Sequence, residues 1–405
     1  MLRKSSILRV NQDACIVVDK SGQDTICLPD RVAALDDGDL VALQIFAVRR
    51  SLASGVRALA RFYESRDARG PADALETVWR LYSCGLLIED RAALVQANLK
   101  RGMFGAPLAS MSEIRQDDIV VYGMPYDLGV TCQSGAKGGP NYIRAASATA
   151  FDYACDQRHL GWWHPYHRAQ VLDGVPIRDI GEVDCTESQR NGAAFDRVYQ
   201  VQQRILELGG LPVMIGGDHS VSLPVISATA AAHPGLVVIQ LDAHSDLGPD
   251  EDMGDWRRNA SHGNFMSWIV QDKRVDRVVQ LGVRNLLSDR PYPSEKVQVY
   301  AGVDWLSSLE NLLEALPRDK PYYLTFDVDV LDPKVISQTG TPVPGGLSYD
   351  DAVRVIRGIG SRFDLAGCDF VELQQNQSLL EGSIVSYLCF ELLAAQHLRR
   401  RQLGQ

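Results

Sequence analysis

Positive charge is what this 405-residue chain has too little of: 41 Lys and Arg stand against 51 Asp and Glu, a formal net charge of −10. Non-specific nucleic-acid binding needs a basic footprint, so that class of partner is excluded. No run of roughly 18 or more apolar residues occurs, and no apolar stretch follows the basic start Met1-Leu2-Arg3-Lys4. We therefore expect no membrane span, no export signal and a cytoplasmic location. The eight cysteines (Cys15, Cys27, Cys84, Cys132, Cys155, Cys185, Cys368, Cys389) form no C-x-x-C, which predicts reduced thiols and excludes a disulfide framework or a zinc site. Repeats and low-complexity tracts are missing too. What is left, 45% apolar and 23% charged, is a globular chain long enough for two domains.

Residues 7 to 28 alternate short β-branched runs around Ser21-Gly22 and predict a small hairpin. Helical patterning follows from about Asp39, again over Val56 to Tyr63, and a third time after Gly70-Pro71, with Leu75, Val78, Trp79 and Tyr82 on one face and Gly85 as the stop. Leu86-Leu87-Ile88 reads as a short return strand. Residues 96–117, with Gly102, Gly105 and Pro107, read as a linker. From Ile119 strands alternate with helices: strands at Ile119 to Gly123, Leu211 to Ile215, Val237 to Leu241, Val278 to Val283, Tyr322 to Phe326 and Leu365 to Val371, helices at Phe195 to Leu208 and Tyr349 to Ile359. Such alternation implies an α/β domain with a mostly parallel sheet covered on both faces. The glycine-rich Ser134 to Pro140 loop lacks the P-loop spacing, because Lys137 precedes its last glycines, and is not read as a phosphate cradle.

Chemistry concentrates where these strands run out, which is where open α/β sheets place ligands. Leu211 to Ile215 ends in Gly216-Gly217-Asp218-His219-Ser220, the next strand in Asp242-Ala243-His244-Ser245-Asp246, and Tyr322 to Phe326 in Asp327-Val328-Asp329. A lone D-x-D is usually an acidic turn, and a lone strand-end histidine is usually structural. Two imidazoles and four carboxylates together require cations, because burying that much negative charge alone is prohibitive. If Asp242 to Asp246 stays extended, its i, i+2, i+4 spacing puts three ligands on one side. Oxygen-rich, cysteine-free donors suit manganese or another harder divalent ion, and four carboxylates exceed the need of one ion, which points to a two-metal site.

These stretches, with Ser261-His262-Gly263, Asp327 to Pro333 and Gly340 to Leu347, resemble the signatures of the ureohydrolases, the arginase, agmatinase and formiminoglutamase family, over about residues 118 to 400. The resemblance implies a three-layer arginase-like fold, two Mn2+ per subunit, hydrolysis of a guanidino group to urea, and assembly as a homo-oligomer. It implies that His219 and Asp246 bind one ion, that His244 and Asp329 bind the other, and that Asp242 and Asp327 bridge. It makes His262 the proton shuttle and Glu372 the carboxylate that holds the substrate guanidinium, so the catalytic candidates are His262, Asp246 and Glu372. His159, His164, His167, His233 and His397 fall outside the motifs and are read as surface or packing residues.

Residues 1–95 resemble a small winged-helix α+β module, similar in its last helix to the leader-recognition domains of peptide-modifying enzymes. Arginases that act on the free amino acid carry Asn and Ser side chains after the D-A-H-x-D motif to grip the α-groups. This chain reads Leu247-Gly248-Pro249-Asp250-Glu251-Asp252 there, and Glu372 is followed by Leu373-Gln374 in place of Asn-Pro. The expected substrate is accordingly an arginine side chain in a precursor peptide, converted to ornithine. An agmatinase or another small-guanidine hydrolase is the alternative, and a non-catalytic regulator ranks lower because all six ligands are intact.

Overall fold

Eight parallel strands form the sheet on which the candidate site stands: β1 (Ile119–Gly123), β2 (Ile177–Glu182), β3 (Leu211–Ile215), β4 (Leu236–Leu241), β5 (Val275–Leu281), β6 (Val297–Tyr300), β7 (Pro321–Asp327) and β8 (Asp364–Val371). Their order is β2-β1-β3-β8-β7-β4-β5-β6, and every neighbouring pair is parallel. The computed structural model describes residues 7–10, 15–18, 24–28, 31–34, 37–47, 50–65, 71–83, 87–89, 102–106, 108–151, 161–185, 192–248, 254–286 and 294–404. The chain forms two compact units, Met1–Asn98 and Leu99–Gln405.

In the second unit strand residues alternate between two apolar layers. Val121, Ile239, Leu324 and Phe326 face one, while Val120, Tyr122, Val238 and Tyr323 face the other. Both faces are therefore dry, and helices cover them, as parallel sheets require. The helices are α1 (Gly139–Ala150), α2 (Gly192–Glu207), α3 (Ser222–Ala232), α4 (Tyr349–Arg362) and α5 (Leu380–Gln402). Ser348 caps α4 by accepting from the Asp351 amide, as its sequence predicts. α5 carries no such signal. Its buried residues lie almost all round, so the 3.6-residue periodicity that marks an amphipathic helix is lost. β2 and β6 also escaped the sequence reading: β2 reads Ile-Arg-Asp-Ile-Gly-Glu, and three of its six residues are charged.

The predicted linker at 96–117 is corrected in its second half. Phe104 is fully buried and packs edge-on against Phe151, Trp162 and Phe390, and the Met103 and Phe104 amides donate to Asp179 and to Ser147. Gly102 and Gly105 shape a tight buried turn, in which the Gly102 amide donates to the Ala106 carbonyl, and residues 102–106 belong to the second unit's core. Two of the remaining histidines, His164 and His167, stand with Glu391. His164 is buried against Glu391, which Arg357 clamps through two hydrogen bonds of 2.7 and 2.9 Å, and His397 accepts from the Leu172 amide. His159 lies outside the described residues.

The first unit holds helices Asp37–Ala47, Leu52–Glu64 and Pro71–Ser83 and two three-stranded sheets. Cys15–Val18 pairs antiparallel with Asp24–Leu28, and Ile7–Val10 takes Leu87–Glu89 on one edge; Ser21 and Gly22, the expected hairpin turn, lie outside the described residues. Tyr63 bonds Thr77 at 3.0 Å between the second and third helices, and Arg80 pairs with the buried Asp39 of the first. No described helix is long and apolar enough to cross a membrane.

Replacing Phe104 with alanine should cost about 3–5 kcal/mol, the usual penalty for a buried aromatic. Urea unfolding of the full chain measures it. A loss under about 0.5 kcal/mol, typical of a surface change, would return this segment to linker status.

Candidate active site

The strands that end in chemistry are the four central neighbours β3, β8, β7 and β4. Register aligns Ile215, Phe370, Phe326 and Leu241 in one row, so Gly216, Val371, Asp327 and Asp242 emerge together one step beyond it. Gly217 is demanded by a close approach. A Cβ there would stand 1.7 Å from the Tyr126 carbonyl oxygen, so the strand can turn against the Met124–Tyr126 segment only as glycine. His219 then opens a short 3-10 turn, and Asp218 caps it by accepting from the Ser220 amide.

The segment after β4 is not extended. It bends at Ala243 and His244, and Asp246 takes a left-handed φ of 50°. The alternation expected from D-A-H-S-D is thus replaced by a bend that returns Asp246 to the cluster. Glu372 is left-handed as well, with φ 67°. Bulky residues in that region are strained and tend to mark functional sites.

All six expected ligands meet. His219 Nδ1 lies 3.0 Å from Asp242 Oδ2, 3.1 Å from Asp246 Oδ2 and 3.2 Å from Asp327 Oδ2. His244 Nδ1 lies 2.8 Å from Asp329 Oδ2 and 3.6 Å from Asp242 Oδ1. Asp242 thus turns one oxygen to each imidazole. Donor atoms of His219, Asp242 and Asp327 lie within 4.8 Å of one another, as do those of Asp242, His244 and Asp329. All six are buried except His244, which is 23% exposed along its side chain.

Two observations test whether cations fit. Buried and without hydrogen-bond partners, His219 Nδ1 and Asp329 Oδ2 face this centre. Burial pushes three carboxylates up, with neighbouring carboxylates adding to it: Asp327 well above the usual range, Asp329 less so, Asp246 to about 7. Burial disfavours both imidazolium ions, yet the surrounding carboxylates raise His219 strongly and His244 to about 11. Burial likewise opposes charge on Asp242, but His219 and His244 hold it below the usual range. The cluster is short of positive charge, which divalent ions bound by oxygen and imidazole would supply.

The arginase-family model matches residues 117–383. The chain belongs to the arginase family. A guanidinobutyrase of Pseudomonas aeruginosa is 32% identical over 300 residues, covering 68% of this chain and 86% of that protein. An agmatinase of Neisseria meningitidis is 30% identical over 302 residues, 73% of this chain and 92% of that one. Among solved structures, a hypothetical agmatinase from Burkholderia thailandensis superposes with TM-score 0.63 at 27% identity over 75% of this chain and 92% of its own. The chain is therefore a ureohydrolase, a hydrolase of C–N bonds in guanidino or amidino groups. The family match leaves residues 1–116 outside it.

Around the ureohydrolase cluster the structure adds groups that sequence did not single out. Thr131 turns its amide to His262 Nε2 at 3.0 Å and its hydroxyl to the same atom at 2.8 Å. His262 Nδ1 is 3.1 Å from Glu372 Oε1, which also accepts from the His219 amide at 2.8 Å, while Glu372 Oε2 is buried without a partner. Burial lowers the His262 pKa, but Glu372 outweighs it and the net shift is upward. Asp218 ties the loop down by accepting from the Gly129 amide at 2.8 Å, and burial beside Glu372 lifts its carboxyl to about 7. Arg284 donates to the carbonyls of Asp329 and Val343, fastening one ligand to the 340–347 loop. None of these contacts joins residues close in sequence, so no spacing announces them. The glycine-rich loop before α1 is explained by packing: a Cβ on Gly139 would stand 2.5 Å from the Leu373 carbonyl oxygen.

Gly217→Ala should destabilise the fold by about 1–3 kcal/mol, since the new methyl meets backbone that must move. Thermal unfolding reads the loss, and a variant as stable as the native chain would refute the close approach.

Proposed function

We propose that His219, Asp242, His244, Asp246, Asp327 and Asp329 hold two Mn2+ ions, with His219 and Asp246 on one, His244 and Asp329 on the other, and Asp242 and Asp327 between them. Ions of that kind lower the pKa of water enough to provide a nucleophile at neutral pH. The protein's own groups place the substrate against it. Glu372 Oε2, the buried oxygen without a partner, is the acceptor for a guanidinium, a planar cation that a carboxylate binds through parallel hydrogen bonds. With the Thr131 amide donating to Nε2, His262 holds its proton at Nδ1, beside Glu372, and we assign the proton shuttle to it.

For the substrate we favour an arginine side chain within a precursor peptide, yielding ornithine and urea, with residues 1–95 tethering the precursor by its leader. The observation that carries this reading is the neutral mouth of the site. Leu247 packs on the apolar core, Gly248 lies against Asn264, and the rim from Thr131 to Ser134 is uncharged, with Gln374 bonded to the Gln133 carbonyl. Among the described residues, Leu247, Gly248 and the Thr131 to Ser134 rim offer an α-carboxylate and α-ammonium no counter-charge, whereas a peptide backbone needs none. Residues 249–253 lie outside the described set. The second reading is a small-guanidine hydrolase, favoured by the names of the guanidinobutyrase and agmatinase relatives. A homo-oligomeric, cytoplasmic enzyme belongs to both readings.

Urea release from an arginine-containing precursor peptide, free arginine, agmatine and 4-guanidinobutyrate separates them. The peptide should exceed free arginine in kcat/KM by about 100-fold or more, the discrimination available when buried polar groups go unpaired. Turnover of agmatine with an inert peptide would sink the first reading, and no manganese-dependent urea release from any of the four would sink both. Asp329→Ala should lower the bound manganese from two equivalents toward one and abolish most urea release. Full retention of both ions contradicts the ligand assignment.

A further inference from the structure

One row of polar residues crosses the sheet directly beneath the ligands. Register aligns Asp369 of β8, Thr325 of β7, Gln240 of β4 and Gln280 of β5 across four adjacent strands. Each is fully buried. Asp327 and Asp242 follow two residues further along β7 and β4, on the same face. Four polar side chains at this depth, beside Val238, Val278 and Tyr323, are costly unless they find partners. All but the Gln280 side-chain oxygen find one another or the ligands. Thr325 Oγ1 donates to Asp369 Oδ1 at 2.6 Å and lies 2.8 Å from His219 Nε2, while the Tyr323 hydroxyl donates to Asp369 Oδ2 at 2.8 Å. Gln280 donates to Gln240 Oε1 and to the Ser245 carbonyl, each at 2.6 Å, and Gln240 donates to Asp242 Oδ2 at 2.8 Å.

We propose that this row is the positioning layer of the metal centre, in which Asp369 acts through Thr325 to decide which nitrogen His219 turns to the ions. The inference rests on the two-ion reading above. A carboxylate only accepts, and Asp369 Oδ1 at 2.6 Å outcompetes Ser222 Oγ at 3.4 Å for the single Thr325 proton, so the Thr325 oxygen is left to accept. What it accepts is the His219 Nε2 proton. The lone pair then sits on Nδ1, the atom that faces Asp242, Asp246 and Asp327. Ligating histidines are commonly fixed in this way by the partner of their other nitrogen.

Asp369→Asn, which has the same shape, should reverse the relay. The Tyr323 hydroxyl claims the amide oxygen, so the NH2 group faces Thr325 and donates to it. The Thr325 proton is then free to turn to His219 Nε2, which places the imidazole proton on Nδ1, where the ion belongs. Thr325→Val deletes the acceptor, and Thr325→Ser keeps it. The residues of this row touch neither substrate nor ion and are positioning residues only.

The test is Mn2+ binding, measured by equilibrium dialysis and metal analysis, in a His244→Ala background that isolates the His219 half. Asp369→Asn and Thr325→Val should weaken binding there by about 10–100-fold, while Thr325→Ser stays within about threefold of its parent. Melting of the metal-free proteins accompanies each value; should Asp369→Asn fail to fold, the Thr325→Val and Thr325→Ser pair decides. Unchanged affinity in Asp369→Asn, or a Ser variant as weak as the Val one, overturns the proposal. If the unsubstituted protein binds no manganese, the metal-centre reading fails; if it binds two ions and the variants match their parents, only the relay fails.

Discussion

Repulsion among buried carboxylates is the constraint on which this ureohydrolase site depends. Asp242, Asp246, Asp327 and Asp329 are each at most 7% exposed, and they crowd around two imidazoles. No apolar fold tolerates that much uncompensated charge. The central sheet brings the four together because β4 and β7, far apart in sequence, are direct neighbours in space, with β3 and β8 alongside to bring His219 and Glu372. The strain at Asp246 and Glu372 completes the convergence and is held by the surrounding hydrogen bonds.

Much of the site was legible from the chain alone, for a physical reason. Side chains that bind a harder divalent ion are mostly Asp, Glu and His, and strand-end positions announce themselves by an apolar run that stops, as Tyr322 to Phe326 does before Asp327. The six candidate ligands and Glu372 are picked out that way or by the family signatures, and His262 by the signatures. What stayed hidden lies in pairings between distant residues of neutral or ordinary type. Thr131 at His262, Arg284 on the Asp329 carbonyl, and Gln240, Thr325 and Asp369 beneath the ligands carry no local pattern. In a strand such as Leu236–Leu241, one glutamine in an apolar run looks like a flaw until register sets it beside Gln280 and Thr325.

The fold followed a similar division. Strands with clear apolar runs and turn residues at their ends were found within a few residues, whereas β2, with its charged residues, and α5, buried nearly all round, had no periodicity to detect. The glycines near residue 102 looked like linker because their role depends on Phe104 finding Phe151, Trp162 and Phe390. In the N-terminal unit, three helices and a return strand stand at the expected places.

Diffraction at the manganese absorption edge from crystals grown with Mn2+ tests the central claim most directly. Two anomalous peaks per chain are expected, one between His219 and Asp246 and one between His244 and Asp329, with Asp242 touching both. A single peak, or peaks elsewhere in the chain with this cluster empty, would contradict it.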